Sequence, residues 1–331
     1  MVAGRKSGLR MAFVAAAMAA MGLGCATTGR PTLVRTPSSE AITLYVDAMM
    51  LSDLNERDKA LEKLDAAIAA NPKFAPAFSM KGDLYMQAEQ YDKSAESFER
   101  ATQLDPWSVK DFFNLGKVRQ ILKQFIEAAK AYSRACELEP KHFSAHLGAA
   151  QCYYQLEDMD KAYEYGQKAK EIDPEQAEPE LLLGNILEAR EDHPEAIASY
   201  RRALELEGNQ PRIMVPLAVA YLRTQEYAAS KELLEAAVEI EPKNGMAQQY
   251  LGFAYLKLKD TDKAIASYRR AIEADGNDWM AYKGLGVTLL LKSAHDNNAG
   301  LKQEGLAAWN RSLQIKPDQP KLRELLDKYS K

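Results

Sequence analysis

Residues 245–278 read GMAQQYLGFAYLKLKDTDKAIASYRRAIEADGND, and the order of small and apolar residues in this stretch recurs along most of the chain. The pattern returns at every thirty-fourth position, and seven units run from Ala41 to Asp278 without an insertion. Gly, Ala or Ser stands at the eighth, twentieth and twenty-seventh positions, and Pro or Gly at the thirty-second. The eighth positions, with that of an irregular eighth unit, are Ala48, Gly82, Gly116, Ala150, Gly184, Ala218, Gly252 and Gly286. A fixed period of this length indicates a repeat architecture.

Each unit is predicted to fold as two antiparallel helices, a first (helix A) and a second (helix B). Where the two helices cross, only Gly, Ala or Ser lets their backbones approach closely, and larger neighbours fill the flanking space. Pro or Gly at the thirty-second position ends helix B and begins the turn into the next unit. Because one unit cannot bury its own apolar faces, we expect the units to stack around one continuous core.

This pattern resembles the tetratricopeptide repeat (TPR) family, whose signature within each unit is Leu-Gly, Tyr, Ala, an aromatic residue, Ala and Pro. The matches to the Leu-Gly pair are Leu115-Gly116, Leu183-Gly184, Leu251-Gly252 and Leu285-Gly286. The helix A tyrosines are Tyr85, Tyr153, Tyr221 and Tyr255, and the helix B aromatics are Phe98, Tyr132, Tyr200 and Tyr268. The resemblance covers residues 41–318, and it implies an all-α, right-handed superhelical solenoid of helix-turn-helix repeats with a concave and a convex wall.

The eighth unit is expected to be irregular, since seven extra residues lie between its helices, within 292–303. Its helix A is predicted to run from about Trp279 to Leu291. The insertion predicts a longer helix hairpin, and a functional loop is the alternative. The segment 319–331 is predicted to form a C-terminal capping helix, because apolar residues share one face there. These apolar residues are Leu322, Leu325, Leu326 and Tyr329.

The segment 1–24 is typical of a cleaved signal peptide, with basic residues, an apolar run from Met11 to Leu23 and small residues at its end. Gly24-Cys25 resembles the lipobox of bacterial lipoproteins, although Gly22 stands where that family prefers Leu. The resemblance implies cleavage before Cys25 and lipid attachment to its thiol. Plain signal cleavage and an uncleaved helix are the alternatives.

Residues 25–40 are predicted to be the lipidated cysteine and a flexible tether. Ala26 follows Cys25. In Gram-negative lipoproteins, an Asp at this position resembles an inner-membrane retention signal, and this chain does not have it. The protein is therefore expected to be exported and lipid-anchored, and to lie on the periplasmic side of the outer membrane if the host is Gram-negative. Removal of residues 1–24 takes away three basic residues and no acid, so the formal net charge changes from −4 to −7.

Composition excludes several classes of protein. The net charge of −4 over 331 residues argues against a nucleic-acid partner, and the mean hydropathy of −0.39 excludes a polytopic membrane protein. No catalytic, nucleotide-binding or metal-binding motif occurs, so neither a catalytic residue nor a cofactor nor a metal is predicted. His142 and His146 have ligand spacing but lack a nearby third ligand. Cys136 and Cys152 occupy positions that are apolar in other units, which predicts buried thiols, with a disulfide between them as the alternative.

The TPR resemblance implies a protein-binding groove formed by positions 2, 5, 9 and 12 of each helix A. In units six to eight, nine of these twelve residues are apolar, which favours a binding surface. They are Arg212, Val215, Val219, Leu222, Met246, Gln249, Phe253, Leu256, Met280, Lys283, Val287 and Leu290. Polar candidates in earlier units are Lys110, Lys117 and Asn185. Pro216 is expected to kink or delay its helix. Burial by superhelical curvature, or cover by the C-terminal helix, is the alternative.

Together these features predict a membrane-anchored, non-enzymatic scaffold. Its groove would hold an extended segment or a helix of a partner protein. The architecture resembles that of the pilotin lipoproteins of pilus and secretin assembly, which implies a role in assembling an envelope complex. The alternative is an adaptor for cell-wall or outer-membrane biogenesis enzymes. An enzyme or small-ligand binder is disfavoured, because the repeats leave no room for a separate catalytic domain.

Overall fold

The computed structural model describes residues 39–330, and within that range the chain forms seventeen α-helices. The eight helices A are α1 (Ser39–Asp53), α3 (Ala75–Gln87), α5 (Val109–Ile121), α7 (Phe143–Gln155), α9 (Ala177–Ala189), α11 (Pro211–Arg223), α13 (Gly245–Lys257) and α15 (Trp279–Asp296). The helices B are α2 (Arg57–Ala70), α4 (Tyr91–Leu104), α6 (Phe125–Leu138), α8 (Met159–Ile172), α10 (His193–Glu207), α12 (Tyr227–Ile240), α14 (Thr261–Ala274) and α16 (Ala299–Ile315). The last helix is α17 (Pro320–Tyr329).

The predicted signal peptide, Cys25 and the tether up to residue 38 lie outside the described residues. Helix α1 begins at Ser39, two residues before the first repeat position, so the last two residues assigned to the tether are helical. Among residues 39–330, no helix combines the length and the apolar character that crossing a bilayer requires.

Consecutive helices pack against each other along the whole described chain, which confirms the predicted all-α solenoid. From unit three onward, each helix A also contacts the next helix A, as α9 does with α11, α11 with α13 and α13 with α15. They therefore form a continuous wall. The small residues at positions 20 and 27 of the first seven units, such as Ala264 and Ala271, are fully buried at the helix crossings.

Very close packing joins position 8 of helix A to position 24 of helix B. A Cβ atom added at Gly82 would lie 2.8 Å from the ring of Phe98, and one at Gly116 would lie 2.7 Å from the ring of Tyr132. Both distances are too short for real carbon contacts, so each ring rests directly on a glycine backbone. In the described repeats, each position-8 glycine meets an aromatic ring at position 24. The pairs are Gly82–Phe98, Gly116–Tyr132, Gly184–Tyr200, Gly252–Tyr268 and Gly286–Trp309.

The other three units replace both members of the pair. Where position 8 is alanine, position 24 is not aromatic. These pairs are Ala48 with Leu64, Ala150 with Gly166 and Ala218 with Leu234. The methyl group on helix A is thus compensated by a smaller side chain on helix B, and each alanine remains fully buried.

The turn between helices A and B places a non-glycine residue in the left-handed region in every unit. The residues with positive φ in units one to seven recur with the repeat period, and they are Asn55, Glu89, Lys123, Glu157, Glu191, Gln225 and Lys259. The backbone N–H of the following residue bonds back to helix A, as Gln90 N does to the carbonyl of Tyr85 at 2.9 Å. This arrangement satisfies carbonyls at the helix end that have no partner within the helix. The small-residue pattern alone does not reveal it.

The eighth unit has the longer hairpin that the insertion predicted. Helix α15 continues to Asp296, beyond the expected end at Leu291, and α16 is 17 residues long. Asn297 adopts a left-handed conformation and ends α15. The side chain of Asn298 accepts hydrogen bonds from the backbone N–H groups of Gly300 and Leu301 and so caps α16. The extra residues therefore extend both helices.

Pro216 does not delay its helix. Helix α11 begins at Pro211, the first position of unit six, just as α13 begins at Gly245. The prediction of a late start was wrong, because Pro211 itself supplies a favourable first helical residue. Pro216 lacks an N–H group, so one carbonyl in the first turn has no helical donor. The kink remains a prediction.

We predict that Gly82 and Phe98 are energetically coupled. Gly82→Ala overpacks the crossing, at a cost of about 1–3 kcal/mol, and Phe98→Leu alone leaves a cavity. The double variant reproduces the Ala48–Leu64 pair of unit one. Its loss of unfolding free energy should therefore be smaller than the sum of the two single losses, by a coupling energy of about 0.5–3 kcal/mol. Urea unfolding of all four proteins measures this coupling. The helix-propensity gain of alanine cancels from the cycle. Additive single effects would contradict the compensation.

Candidate protein-binding groove

The inner wall of units six to eight carries an open groove of about 830 Å³, formed mainly by α11, α13 and α15. We call it the C-terminal groove. It is lined by Val219, Leu222, Arg223, Gln249, Tyr250, Phe253, Leu256, Lys257, Tyr268, Trp279, Met280, Lys283, Gly284, Val287 and Leu291. A smaller depression of about 490 Å³ adjoins it toward unit five and shares Val219 and Tyr250 with it. Together the two form a continuous surface along the repeats.

Eleven of the twelve groove residues predicted in units six to eight line this surface. Those in the C-terminal groove are Val219, Leu222, Gln249, Phe253, Leu256, Met280, Lys283 and Val287. Arg212, Val215 and Met246 line the adjoining depression. The spacing of positions 2, 5, 9 and 12 therefore places these side chains together across three helices.

Leu290 lies elsewhere, so the groove prediction is wrong at this residue. It is buried among Trp309 and Leu322, at the junction of α15 with the last two helices. The neighbouring residue Leu291 lines the groove instead and is 54% exposed. Beside its regular partner α16, this part of α15 also packs against Leu322 of the added helix α17, so the twelfth position of α15 is buried in the core.

The three polar candidates of the earlier units lie apart from the C-terminal groove. Lys110 Nζ donates to Asp83 Oδ2 at 2.5 Å, in a depression between units one and three. Lys117 is exposed. Asn185 Oδ1 accepts a hydrogen bond from the hydroxyl of Tyr200 at 2.8 Å, so its side chain holds a core aromatic in place.

The C-terminal groove is open to solvent. Met280 within it is 43% exposed, and Met246 beside it is 61% exposed. Helix α17 packs on α16, and none of its residues lines the groove. Leu322 of α17 is buried against Leu290 and Trp309, while Leu325 on the same helix is 40% exposed. The capping helix therefore closes the end of the core and leaves the inner wall free.

Several groove residues were missed at the sequence level. Arg223, Lys257 and Leu291 are at position 13 of their helices, one turn beyond position 9 and on the same face. The helical spacing alone predicts that position 13 lies on the groove face. Trp279 and Tyr268 enter the groove from the start of α15 and from helix B, and no rule based on four positions of helix A identifies them.

The two candidate metal-binding histidines have structural roles. His142 caps α7, because its Nδ1 accepts a hydrogen bond from the backbone N–H of Ala145 at 3.2 Å. His146 is buried, and its Nε2 donates to the carbonyl oxygen of Pro140 at 3.0 Å. Burial lowers the pKa of His146, which favours the neutral ring. Within residues 39–330, no group of three or more His, Cys, Asp or Glu side chains has an arrangement that holds a metal ion.

Cys136 and Cys152 are both buried and both free, which confirms their assignment to apolar core positions. They lie in one cluster with Tyr132 and Tyr153. Burial raises the pKa of each thiol to about 12. Neither thiol is therefore a nucleophile at neutral pH, because the reactive form is the thiolate.

Comparison with known proteins identifies the class of this helical-repeat solenoid. The family model of the C-terminal domain of cilia and flagella-associated protein 70 matches residues 38–275, and that of the tetratricopeptide repeat matches residues 251–320. The first match covers well over half of the chain. The chain therefore belongs to the tetratricopeptide repeat family represented by this model, and it is a TPR scaffold for protein–protein interaction. A search of curated proteins finds no match.

Solved TPR structures share the fold at low sequence identity. The C-terminal part of a TPR protein from Cytophaga hutchinsonii is 19% identical, with a TM-score of 0.59 over 73% of this chain and 99% of that one. A TPR protein from Parabacteroides merdae is 15% identical, with a TM-score of 0.57 over 78% and 99%. Pseudomonas aeruginosa PilF is 17% identical, with a TM-score of 0.54 over 62% and 94%. These likenesses establish the fold alone.

We predict that Cys136 and Cys152 are inert in the folded protein. With thiol pKa values of about 12, only about one thiol in 10⁴ is ionised at pH 8. In a Cys25→Ser background, an aromatic disulfide reagent should label neither residue in buffer and both in urea. Rapid labelling of either thiol without denaturant would show that its repeat is not closed as described.

Proposed function

We propose that the chain is a membrane-anchored, non-enzymatic scaffold that holds a partner protein in its C-terminal groove and supports assembly of an envelope complex. The observation that carries this proposal is the groove itself. Its lining is mostly aliphatic and aromatic, it is open, and its volume of about 830 Å³ lies within the range of ligand sites. Soluble proteins rarely leave so continuous an apolar surface exposed unless it is used for binding.

The aromatic content of the groove supports a protein partner. Tyr250, Phe253, Tyr268 and Trp279 all contribute to its lining. Aromatic side chains are enriched at protein interfaces because they bury a large area with few rotatable bonds. The shape of the groove, which spans three parallel helices, suits an elongated segment such as an extended peptide or a helix.

The anchor part of the proposal rests on the N-terminal sequence. Basic residues, a short apolar run and Gly24-Cys25 form a pattern similar to that of bacterial lipoproteins. Acyl chains on Cys25 would hold the protein at the membrane, and each buried methylene contributes about 0.8 kcal/mol. The residues between Cys25 and Ser39 would then join the anchor to the repeats.

Within this class, we propose a pilotin-like role in pilus or secretin biogenesis. Support comes from the combination of a lipoprotein-like N-terminus with a TPR solenoid, which pilotin lipoproteins also have. This support comes from the architecture alone, because PilF is only 17% identical to this chain and the two share the fold. The groove supplies the capture site for a partner subunit, and the anchor supplies the location.

We predict that Cys25→Ser releases the protein from the membrane. Without the thiol no lipid can be attached, and the exported chain should appear in the soluble fraction after cell breakage. The measurement is immunoblotting of membrane pellet and supernatant for the wild type and the variant. If the variant still sediments with membranes after a high-salt wash, the lipid anchor is not what holds it there.

We predict that Phe253→Glu combined with Leu256→Glu abolishes partner capture. Both side chains line the groove and are only partly buried, so two carboxylates there should repel an apolar segment without unfolding the solenoid. In-cell photocrosslinking from Met280, read by mass spectrometry, reports the partner. A matched control is Ile240→Glu with Leu258→Glu, which changes two exposed apolar residues outside the groove lining.

The far-UV circular dichroism of both double variants should equal that of the wild type. Crosslinked partners that persist in the groove variant, or that disappear equally in the control, would place the binding surface elsewhere. Capture of pilus or secretin subunits would support the pilotin-like role, whereas capture of cell-wall or outer-membrane biogenesis enzymes would replace it with the adaptor role.

A further inference from the structure

The charged residues that line the C-terminal groove all have the same sign. They are Arg223, Lys257 and Lys283, and no Asp or Glu side chain contributes to the lining within the described part of the chain. The chain as a whole has 47 acidic and 43 basic residues, so the groove differs in sign from the average surface. A concave site with charges of one sign beside apolar walls attracts ligands of the opposite charge.

Two of these three cations lack an acidic partner among residues 39–330. Arg223 pairs with Glu188, with 3.0 Å between its Nε and a carboxylate oxygen. Lys257 Nζ lies 5.3 Å from the ring centre of Phe253, and neither Lys257 nor Lys283 forms an ion pair in the described repeats. Both lysines are exposed. Lys283 is in the first half of α15, so a favourable interaction with the carboxyl end of the helix does not account for it.

The tyrosine hydroxyl at position 24 provides a second, independent observation. In unit three, Tyr132 donates to Gln120 at 2.8 Å, and in unit five Tyr200 donates to Asn185 at 2.8 Å. Unit seven has Phe253 and Leu256 at these helix A positions, and among the described residues Tyr268 has no hydrogen-bond acceptor. Tyr268 is only 2% exposed, yet it lines the groove. Its hydroxyl is therefore a donor without a protein acceptor in the described repeats, and an oxygen atom of a ligand in the groove can accept its hydrogen bond.

The opposite end of the inner wall has the opposite charge. A depression of about 340 Å³ between units one and three, the N-terminal groove, is lined by four aspartates and one lysine. These charged residues are Asp53, Asp83, Asp105, Lys110 and Asp111. The positive sign of the C-terminal groove is thus a local feature of the inner wall.

We propose that the C-terminal groove binds an acidic amphipathic segment of a partner protein. The apolar side chains of this segment pack on Phe253, Leu256 and Val287. Its carboxylates pair with Lys257 and Lys283, and a polar oxygen of the segment accepts the hydrogen bond of Tyr268. This proposal rests on the proposed function and adds the chemistry of the partner. Apolar contact supplies most of the affinity, and charge supplies the selection.

Three labelled 18-residue peptides test the proposal against the full chain by fluorescence anisotropy. The first has leucines at positions i, i+3, i+4 and i+7 of a helix, flanked by glutamates. The second has lysines in place of the glutamates, and the third has serines in place of the leucines. At 50 mM salt, the glutamate peptide should bind about tenfold more tightly than the lysine peptide, and the difference should shrink at 500 mM salt because the charges are screened. The serine peptide should not bind.

Charge reversal in the protein makes the test specific to the groove. Lys257→Glu with Lys283→Glu should invert the preference, so that the lysine peptide becomes the tighter ligand. Lys243→Glu with Lys321→Glu changes the net charge equally at exposed sites outside the groove lining and should leave the preference unchanged. Equal binding of the glutamate and lysine peptides would overturn the charge selection while the apolar groove stands. Failure of both to bind would overturn the groove as well.

Discussion

The contact between position 24 of helix B and position 8 of helix A sets the distance between the two helices of every repeat. In five units an aromatic ring lies against a glycine backbone, and in three units a smaller side chain faces an alanine. An alanine at position 8 always faces a residue smaller than an aromatic ring, and in unit four, where Ala150 faces Gly166, Leu183 of the next unit packs against the glycine. Because protein interiors are packed as densely as crystals, a methyl group added at position 8 requires a smaller residue at position 24. This exchange lets units of different composition stack on one regular wall.

The groove follows from that regularity. Each helix A packs on its helix B, and from unit three onward it also contacts the next helix A, so equivalent positions of these neighbouring units lie side by side. A residue at position 9 then belongs to a row that continues through Val219, Phe253 and Val287, all of which line the C-terminal groove. The surface is specific because three consecutive units carry mostly apolar residues at positions where units three and five carry mostly polar ones.

The sequence predicts the repeat phase, the core positions and most of the groove, because all three depend on the repeat period. It fails where a contact departs from the period. Leu290 is at a groove position by phase, but the longer α15 and the added α17 bury it. Trp279 reaches the groove from the first residue of its helix. Pro216 was expected to delay α11, but Pro211 begins the helix at the regular position. The charge of the groove requires the folded arrangement, because its two lysines belong to different repeat units.

Tyr268 links the packing of the repeats to the chemistry of the groove. Its ring is enclosed between the backbones of Gly252 and Gly284, so its place is fixed by two units at once. The same side chain lines the groove and presents a hydroxyl without an acceptor among the described residues. In units three and five, a polar residue of helix A accepts the hydrogen bond of the equivalent tyrosine hydroxyl, so no donor is left for a ligand there. In unit seven, Phe253 and Leu256 at those positions make the surface apolar and leave the hydrogen bond open. The two substitutions therefore make the groove surface apolar and at the same time leave the Tyr268 hydroxyl without a protein acceptor. A ligand that matches the groove combines an apolar face with a hydrogen-bond acceptor.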